Sequence, residues 1–467
     1  MSLESIEILG YRGFGRMQRL VLAIPNGKPG SGLTVVVGPN NSGKSTIFEA
    51  LNAISQSRPP SIPEGRRNAQ NGYRMSVKVN ASGGGSLSLQ TVAIGGSETE
   101  FNSNGLSANQ VRIFPLPSRR SFAPFFIRGS RSRLEYLGHI QLPAVRGSQL
   151  EIFHERLFNI QKNPEQISKF NSMLSKILQP VPSWYIERSD GGQYYLKFTN
   201  ESAAHTSDGT GEGLLSLFTI VDSLYDSTES DIIAIDEPEL SLHPSLQRKL
   251  IDLLGEVSST RQIVIFTHSP YFIDWSQLVN GATVARTSKC GNGNVAIHQL
   301  RRETILQLAT QLENINNPHV LGLDSKEVFF LSDGVILVEG QEDVVILQRI
   351  IAQFEKDLAG NFYGWGAGGA SNVDKILQML KELGFVRVAT ILDANKKSTA
   401  DQLAKQFPTY FVRLLPTDDI RDKDEVRPRL KVLGLTDKAG RQLKKEHLSF
   451  VSDLIRDIQT YLSRSDL

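Results

Sequence analysis

The architecture of this 467-residue chain follows first from one segment, Gly38-Pro-Asn-Asn-Ser-Gly43-Lys44-Ser45. It matches the pattern G-x-x-x-x-G-K-[ST], and it lies between the apolar run Leu33-Thr-Val-Val-Val37 and a stretch with helical spacing. Glycines in such a loop let backbone N–H groups turn toward phosphate oxygens at the N-terminus of a helix. The segment therefore predicts a nucleotide-binding loop in an α/β domain.

The positions of this loop have distinct predicted roles. Lys44 adds a positive charge at the β- and γ-phosphates, and the Ser45 hydroxyl can ligate Mg²⁺. We expect ATP and Mg²⁺ as cofactors. The predicted nucleotide-binding residues of the loop are Gly38, Asn40, Asn41, Gly43, Lys44, Ser45 and Thr46.

A second apolar run, Asp231-Ile-Ile-Ala-Ile-Asp236-Glu237, ends in two acids. An acid at the end of a buried strand beside a phosphate loop can hold Mg²⁺, and the next acid can orient or deprotonate the attacking water. By itself such a run is equally typical of a solvated strand end. Behind a phosphate loop, it predicts Asp236 as a metal ligand and Glu237 as a catalytic residue of an ATPase.

Three short segments complete the first domain: Ser207-Asp-Gly209-Thr-Gly-Glu212, Glu239-Leu-Ser-Leu-His243-Pro244 and Thr267-His268-Ser269. In this order they resemble the signature, D-loop and switch-histidine elements of the ABC ATPases, especially the branch with structural-maintenance-of-chromosomes and RecF-like proteins. The resemblance implies a homodimer of ATPase heads arranged head to head, and it is also compatible with a higher oligomer. In it, Ser207 and Gly209 cap the ATP held by the other subunit, and His268 acts as a catalytic residue in cis.

The rest of the first domain is predicted from its patterning. Residues 75 to 113 alternate apolar and polar side chains between turn residues, which indicates an antiparallel β layer. A helical insert is expected from about residue 147 to 200. We place the ABC-type ATPase domain at residues 1–328 and a smaller α/β domain with C-terminal helices at residues 329–467.

In the second domain, acids again follow apolar runs. Val335-Ile-Leu-Val338 leads into Glu339, with Asp343 just beyond it, and Arg387-Val-Ala-Thr-Ile-Leu392 ends at Asp393. Acids at the ends of neighbouring parallel strands converge at the carboxyl edge of the sheet. Their hard oxygen ligands suit Mg²⁺ or Mn²⁺.

This second arrangement resembles the TOPRIM domain, and an ABC-type ATPase followed by TOPRIM resembles the OLD (overcoming lysogenization defect) family of nucleases over nearly the whole chain. The resemblance implies that Glu339 and Asp393 are catalytic. It also implies that Glu339, Asp343, Asp393 and Asn395 are the metal-binding positions.

Asn395 departs from the TOPRIM pattern, which has a second Asp there. An amide oxygen can ligate a hard cation but adds no negative charge, so metal affinity should be lower. Acids in the later segment Asp418-Asp419-Ile-Arg-Asp-Lys-Asp424 either supply another carboxylate or are solvated.

Composition limits the partners. The chain has 51 Lys and Arg against 49 Asp and Glu, a net charge of +2, so any nucleic-acid binding must come from local patches. Residues 111–146 contain seven arginines with aromatic residues between them, and a second basic run extends from Arg427 to Lys445. The first stretch fits a DNA-facing surface, or equally a core of phenylalanines with a solvated arginine rim.

The single cysteine, Cys290, excludes a Cys-clustered zinc site or a disulfide framework. No apolar stretch is long enough to span a membrane, so no membrane partner is expected. A reducing, cytoplasmic location is therefore expected.

Three functions agree with these motifs. The leading hypothesis is an ATP-regulated, metal-dependent DNA or RNA nuclease of the OLD type in bacterial antiphage defence. The main alternative, favoured by Asn395, is an ATPase sensor or scaffold with a degenerate TOPRIM domain that holds and releases a separate toxic effector, as in PARIS-like systems. A RecF-like DNA-repair ATPase is the third, and the C-terminal acids argue against it.

Overall fold

The computed structural model describes residues 2–118, 153–188, 190, 194–200, 203–206, 211–309, 319, 322–354, 358–424 and 432–464. They form two compact units, Met1–Ile297 and His298–Leu467. Within the described ranges, no helix combines the length and the apolar character needed to cross a membrane.

The strands of the first part of the chain are β1 Leu3–Leu9, β2 Gln18–Val21, β3 Leu33–Val37, β4 Ser76–Ala81, β5 Ser86–Thr91, β6 Thr99–Asn104, β7 Ile113–Leu116, β8 Ser183–Arg188, β9 Tyr194–Asn200, β10 Ala203–Thr206, β11 Ile232–Asp236, β12 Gln262–Phe266, β13 Thr283–Lys289 and β14 Val295–Gln299. The helices are α1 Lys44–Ile54, α2 Phe153–Lys162, α3 Pro164–Ser175, α4 Glu212–Asp226, α5 Pro244–Val257 and α6 Trp275–Asn280.

A six-stranded sheet forms the centre of the first unit, in the order β14-β13-β3-β12-β11-β7. Strands β13, β3, β12, β11 and β7 run parallel. Every residue of β3, β11 and β12 is buried, as expected for parallel strands covered on both faces. The parallel order brings the ends of β3, β11 and β12 to one edge of the sheet.

A second, antiparallel sheet has the order β2-β1-β4-β5-β6. Side chains of β4 alternate strictly between buried and half-buried, which is the pattern of a strand with one face on the core. Helix α1 contributes Ile47, Leu51 and Ile54 to the same core as this sheet. The predicted antiparallel β layer is present from β4 to β6, whereas β7, at the end of the predicted range, pairs in parallel with β11.

Among its described residues, the region predicted as a helical insert contains strands as well as helices. Helices α2 and α3 are followed by a three-stranded antiparallel sheet, β10-β9-β8. Alternation explains the strands, because Trp184 and Ile186 are buried on one face of β8. Trp184 packs edge-on against Phe170 of α3 and Phe218 of α4, with ring centroids 5.5 and 5.6 Å apart.

The second unit contains a four-stranded parallel sheet in the order β16-β15-β17-β18. Its strands are β15 Val335–Val338, β16 Asn361–Phe362, β17 Val388–Leu392 and β18 Phe411–Leu414. Its helices are α7 Arg302–Ala309, α8 Leu323–Lys326, α9 Gln341–Gln353, α10 Ala370–Glu382, α11 Lys397–Gln406 and α12 Leu448–Leu462. Because β15 and β17 are adjacent and parallel, the acids that follow them lie at one edge.

The compact units divide between residues 297 and 298, earlier than the predicted domain boundary at 328. Helix α7 packs against α10 through Glu382, whose carboxylate accepts hydrogen bonds from Arg301 N at 2.9 Å and Thr304 Oγ1 at 2.7 Å. These contacts attach α7 to the second unit. The start of the functional domain at 329 stays a prediction.

Candidate functional site

The phosphate loop connects β3 to α1, as its sequence predicts, and two of its glycines have backbone angles that favour glycine. Gly38 has φ 140° and Gly43 has φ 100°. A Cβ on Gly38 would lie 2.4 Å from the Thr287 carbonyl oxygen, and one on Gly43 would lie 2.8 Å from Val295 Cγ1. Both positions therefore require glycine for conformation and for space.

Gly43→Ala is expected to destabilise the first unit and weaken ATP binding. The left-handed backbone costs a side chain about 1–2 kcal/mol, and the contact with Val295 adds to it. Thermal unfolding should therefore shift down by several degrees. Gly65→Ala is the matched control, because its Cβ would meet nothing within 4 Å. Equal unfolding temperatures for the two variants would contradict this account of the loop.

Lys44 lies at the centre of the loop. Its Nζ donates hydrogen bonds to the Gly38 carbonyl at 2.7 Å and the Pro39 carbonyl at 2.9 Å. Burial lowers the pKa of Lys44 to about 8, although the nearby acids Asp236 and Glu237 favour its charged form. At pH 7 the side chain is still mostly protonated and can meet a phosphate.

Strand β13 supports the loop from the side. The hydroxyl oxygens of Ser42 and Thr287 are 2.6 Å apart, and Thr287 Oγ1 donates to the Val37 carbonyl at 3.2 Å. Thr287 is fully buried. Thr287 was not predictable from the sequence, because it lies far from the loop along the chain and belongs to no motif.

A cavity of about 540 Å³ opens at the loop. Its lining includes Asn40, Asn41, Gly43, Lys44, Ser45 and Thr46 of the loop, together with Glu237 and His268. It also includes Arg12 and Lys289, which were not among the predicted site residues. Arg12 is held by an ion pair with Glu49 at 2.6 Å, and its N–H donates to the Arg66 carbonyl at 2.9 Å. The cavity thus combines cationic side chains with a phosphate loop.

The two acids at the end of β11 differ in position. Asp236 is the last residue of β11 and is buried, whereas Glu237 lines the cavity. Glu237 has φ 48°, an unfavourable backbone for a residue other than glycine, and its N–H donates to the Phe266 carbonyl at 2.7 Å. Such strain persists where the surrounding fold imposes it, and it clusters at functional sites.

His268 follows β12 and also lines the cavity. Burial, with a smaller contribution from the Lys44 charge, lowers the pKa of His268 to about 4. The imidazole is therefore neutral at pH 7, so it can donate one hydrogen bond and accept another.

Three predicted features lie wholly or partly outside the described residues. Ser207 and Gly209 of the signature-like segment lie there, as do residues 119–146 of the arginine-rich stretch and Arg427. Among the described basic residues, Arg112 pairs with the buried Asp231 at 2.8 Å, and Lys444 pairs with Asp422 at 2.6 Å. These two cations therefore serve ion pairs within the fold.

In the second unit, Glu339 and Asp393 follow the adjacent strands β15 and β17. Glu339 Oε1 accepts a hydrogen bond from Asp393 N at 3.1 Å, which ties the two strand ends together. Asp343 Oδ2 accepts one from Gly340 N at 2.9 Å. Glu339 and Asp393 therefore lie side by side at the strand ends, and the charge of Asp343 acts on Asp393 from the first turn of α9.

Two of the clustered carboxyls, those of Asp343 and Asp393, have raised pKa values. Burial is the largest cause, followed by nearby negative charge, and together they raise the pKa of Asp343 to about 6 and of Asp393 to about 8. Asp419 contributes to both shifts and forms an ion pair with Lys423 at 2.6 Å. Of the later acids, Asp419 is thus the one whose charge acts on this cluster.

The donor chemistry fits a divalent cation, because Glu339, Asp343, Asp393 and Asp419 offer only hard carboxylate oxygens. Across the ranges that the structure describes, however, no three His, Cys, Asp or Glu side chains converge into a metal-binding group. The described side chains therefore supply negative charge for a cation, but they do not form a complete set of metal ligands.

Asn395 is exposed, and its Nδ2 donates a hydrogen bond to the Asp418 carbonyl at 3.0 Å. An Asp at this position would bring a carboxylate against that carbonyl oxygen. The Asn395 amide therefore makes a hydrogen bond that an Asp at this position, which has no N–H to donate, could not make.

Asn395→Asp is expected to destabilise the metal-free protein, because it replaces this hydrogen bond by repulsion between oxygens, a loss of about 1 kcal/mol. With Mn²⁺ the added charge should reverse the effect. Differential scanning fluorimetry in EDTA and in Mn²⁺ measures both, with the exposed Asn361→Asp as control. A variant that is as stable as wild type in EDTA would contradict the role of this bond.

Comparison with known proteins agrees with the two-unit organisation. A family described as "AAA domain, putative AbiEii toxin, Type IV TA system" matches residues 98–274, and a second AAA domain family matches residues 5–174. The TOPRIM domain of overcoming lysogenization defect protein-like proteins matches residues 330–394.

Two curated proteins and several solved structures are similar to the chain. An OLD nuclease of Thermus scotoductus is 24% identical over 411 residues, covering 75% of this chain and 76% of that protein. The Old nuclease of Escherichia phage P2 is 32% identical over 123 residues, 26% of this chain and 20% of that protein. An SMC head domain from Thermotoga maritima has a TM-score of 0.39 at 14% identity, covering 64% of this chain and all of that one. An SMC head bound to the C-winged helix domain of ScpA has a TM-score of 0.44 at 13% identity, covering 65% and 99%.

The order of the matches is the order of the two units: an ATPase domain first and a TOPRIM domain after it. Nucleotide and divalent-metal use are general properties of these two domain types. The chain therefore combines an AAA-type ATPase domain with an OLD-like TOPRIM domain and is similar to the OLD nucleases over most of its length.

Proposed function

We propose that this protein is a metal-dependent nuclease whose activity is regulated by ATP, and that it acts in antiphage defence. The observation that carries the nuclease function is the carboxylate cluster of Glu339, Asp343, Asp393 and Asp419, in which burial and like charge raise two pKa values. Carboxylates whose pKa values are shifted by burial and by neighbouring charge are typical of functional sites. The names of the two OLD nucleases agree with this function.

In the first unit, the phosphate loop binds ATP, with Lys44 at the β- and γ-phosphates. Ser45 and Asp236 are the residues that would hold Mg²⁺, which would neutralise phosphate charge. Glu237 orients or deprotonates the attacking water, and the neutral His268 hydrogen-bonds at the γ-phosphate. Lys44, Ser45, Glu237 and His268 line the cavity, which agrees with their proposed roles, and His268 is neutral. Asp236 is buried, and its charge acts on Lys44.

In the second unit, Glu339, Asp343, Asp393 and Asn395 would hold Mg²⁺ or Mn²⁺, with Asp419 as an added carboxylate. The metal would activate water and stabilise the charge that develops when a phosphodiester is cleaved. Asp393 and Glu339 are fixed relative to each other by their hydrogen bond, so they present their side chains at one edge of the sheet.

Regulation is proposed to work through association of two ATPase units. Ser207 and Gly209 of one copy would cap the ATP bound to a second copy, so ATP favours the homodimer and hydrolysis releases it. DNA or RNA is the proposed substrate, and the cytoplasm the proposed location. The antiphage role rests on the OLD-family resemblance.

The test is incubation of pure full-length protein with supercoiled plasmid and with single-stranded RNA, in Mn²⁺ or Mg²⁺, with and without ATP. Wild type should cleave one of these substrates only when metal is present, and ATP should change the rate. Glu339→Ala should abolish cleavage but leave ATP hydrolysis intact. Cleavage that persists in Glu339→Ala would show a contaminating nuclease and refute the assignment.

A scaffold for a separate effector protein is the second candidate, because Asn395 uses its amide within the fold instead of supplying a second motif acid. Under this candidate the pure protein hydrolyses ATP but cleaves neither substrate with any metal. Co-purification of a distinct, toxic protein that ATP hydrolysis releases would then favour it over the nuclease.

A further inference from the structure

The carboxylate of Glu239, three residues beyond Asp236, joins two segments of the ATPase unit. Its Oε1 accepts a hydrogen bond from the His268 N–H at 2.6 Å, and its Oε2 accepts one from Thr267 Oγ1 at 2.8 Å. Both donors lie immediately after β12. Hydrogen bonds to a charged acceptor are about twice as strong as neutral ones. Glu239 therefore fixes the backbone from which the His268 side chain enters the cavity.

A second chain of hydrogen bonds runs between the same segments. Thr267 Oγ1 accepts from Ser269 N at 3.0 Å, and Ser269 Oγ donates to Gln247 Oε1 at 2.6 Å. Gln247 Nε2 in turn donates to the Leu242 carbonyl at 2.8 Å. The side chains of Thr267, Ser269 and Gln247 are all buried. Residues 239–242 and 267–269 thus form one closed hydrogen-bonded unit.

This unit also contacts the beginning of α4. Ser241 Oγ donates to Glu212 Oε2 at 3.2 Å, and Ser241 has φ 62°. A Cβ on Gly213 would lie only 2.3 Å from the Ser241 carbonyl oxygen, so the two backbones touch. A displacement of the start of α4 must therefore move residues 239–242 or break these contacts.

We propose that Glu239 is a positioning residue for ATP hydrolysis: it holds His268 at the nucleotide and links it, through residues 239–242, to the start of α4. The inference rests on the proposed role of His268 at the γ-phosphate. Burial raises the pKa of the Glu239 carboxyl, and the hydrogen bonds from His268 N and Thr267 act in the opposite direction. The hydrogen bonds from His268 N–H and Thr267 thus help to keep the buried Glu239 carboxylate ionised.

The experiment compares steady-state ATP hydrolysis by full-length Glu239→Ala, Glu239→Gln, His268→Ala and the two double variants. Glu239→Ala should lower kcat about 10- to 100-fold with little change in KM, because it leaves two donors without their acceptor. Glu239→Gln should recover much of kcat, because the amide oxygen still accepts from His268 N–H. The double variants should be no slower than His268→Ala alone, since Glu239 acts through His268.

Glu64→Gln, on an exposed glutamate of the same unit, is the control and should keep wild-type kcat. If Glu239→Ala does not fold, the comparison of Glu239→Gln with its double variant still decides. Losses that multiply in the double variants, or a Glu239→Ala with wild-type kcat, would overturn the inference while the role of His268 stands. A His268→Ala with wild-type kcat would instead refute the proposed role of His268, and the inference with it.

Discussion

Lys44→Ala should lower ATP hydrolysis by about 100-fold or more and weaken ATP binding, whereas Glu237→Gln should lower hydrolysis as much but keep binding. The difference follows from position. Lys44 supplies positive charge at the phosphates and also closes the loop through the Gly38 and Pro39 carbonyls. Glu237 lines the cavity after β11 and is proposed to act only on the water.

Hydrolysis is measured as phosphate release, and binding with a fluorescent ATP analogue. The matched control is Lys28→Ala, which removes an exposed lysine of the same unit and should change neither quantity. Turnover that survives in both Lys44→Ala and Glu237→Gln would mean that ATP is hydrolysed elsewhere. A Glu237→Gln that no longer binds ATP would assign Glu237 to binding rather than to water activation.

Asp393→Asn should abolish nucleic-acid cleavage, by about 100-fold or more, and at the same time stabilise the metal-free protein at pH 8. Burial and the charges of Asp343, Glu339 and Asp419 raise the pKa of Asp393 from 3.8 to about 8. At pH values between these two pKa values, Asp393 is protonated in the folded state but ionised in the unfolded state. The free energy of unfolding falls as pH rises from about 4 to about 8, and Asn removes this contribution.

Unfolding temperatures in EDTA at pH 5 and pH 8 measure the effect. Wild type should lose stability between the two values, and Asp393→Asn should lose less, with a gain of a few degrees over wild type at pH 8. Asp401→Asn, on an exposed aspartate of α11, is the control. A variant that loses cleavage activity but gains stability has lost a functional group, whereas a misfolded variant would lose both activity and stability. A variant that is less stable than wild type at pH 8 would contradict the charge cluster.

Local patterning was sufficient for several features. The phosphate loop between β3 and α1, the strand that ends at Asp236, and the antiparallel layer around β4 all follow from contiguous residues whose periodicity reflects burial. The strands that end before Glu339 and Asp393 were predictable for the same reason. Each depends on neighbours in the chain, which is the information that a motif contains.

Features that combine distant segments could not be predicted. The helical pattern before Pro180 gave no indication that residues 183–188 and 194–200 pair as strands, because strand pairing is a property of two segments together. Arg12 and Lys289 line the nucleotide cavity, and Thr287 supports the loop, from segments distant in the chain.

The chemistry of the motif residues was likewise decided by tertiary contacts. Sequence named His268 and Asp393, but burial and neighbouring charge make one a neutral imidazole and the other a carboxyl with a pKa near 8. The sequence shows that position 395 is Asn where the TOPRIM pattern has Asp, but only the folded structure shows that Asn395 donates a hydrogen bond to the Asp418 carbonyl. Residue types and local periodicity are written along the chain; desolvation, charge coupling and hydrogen-bond partners exist only once distant segments pack together.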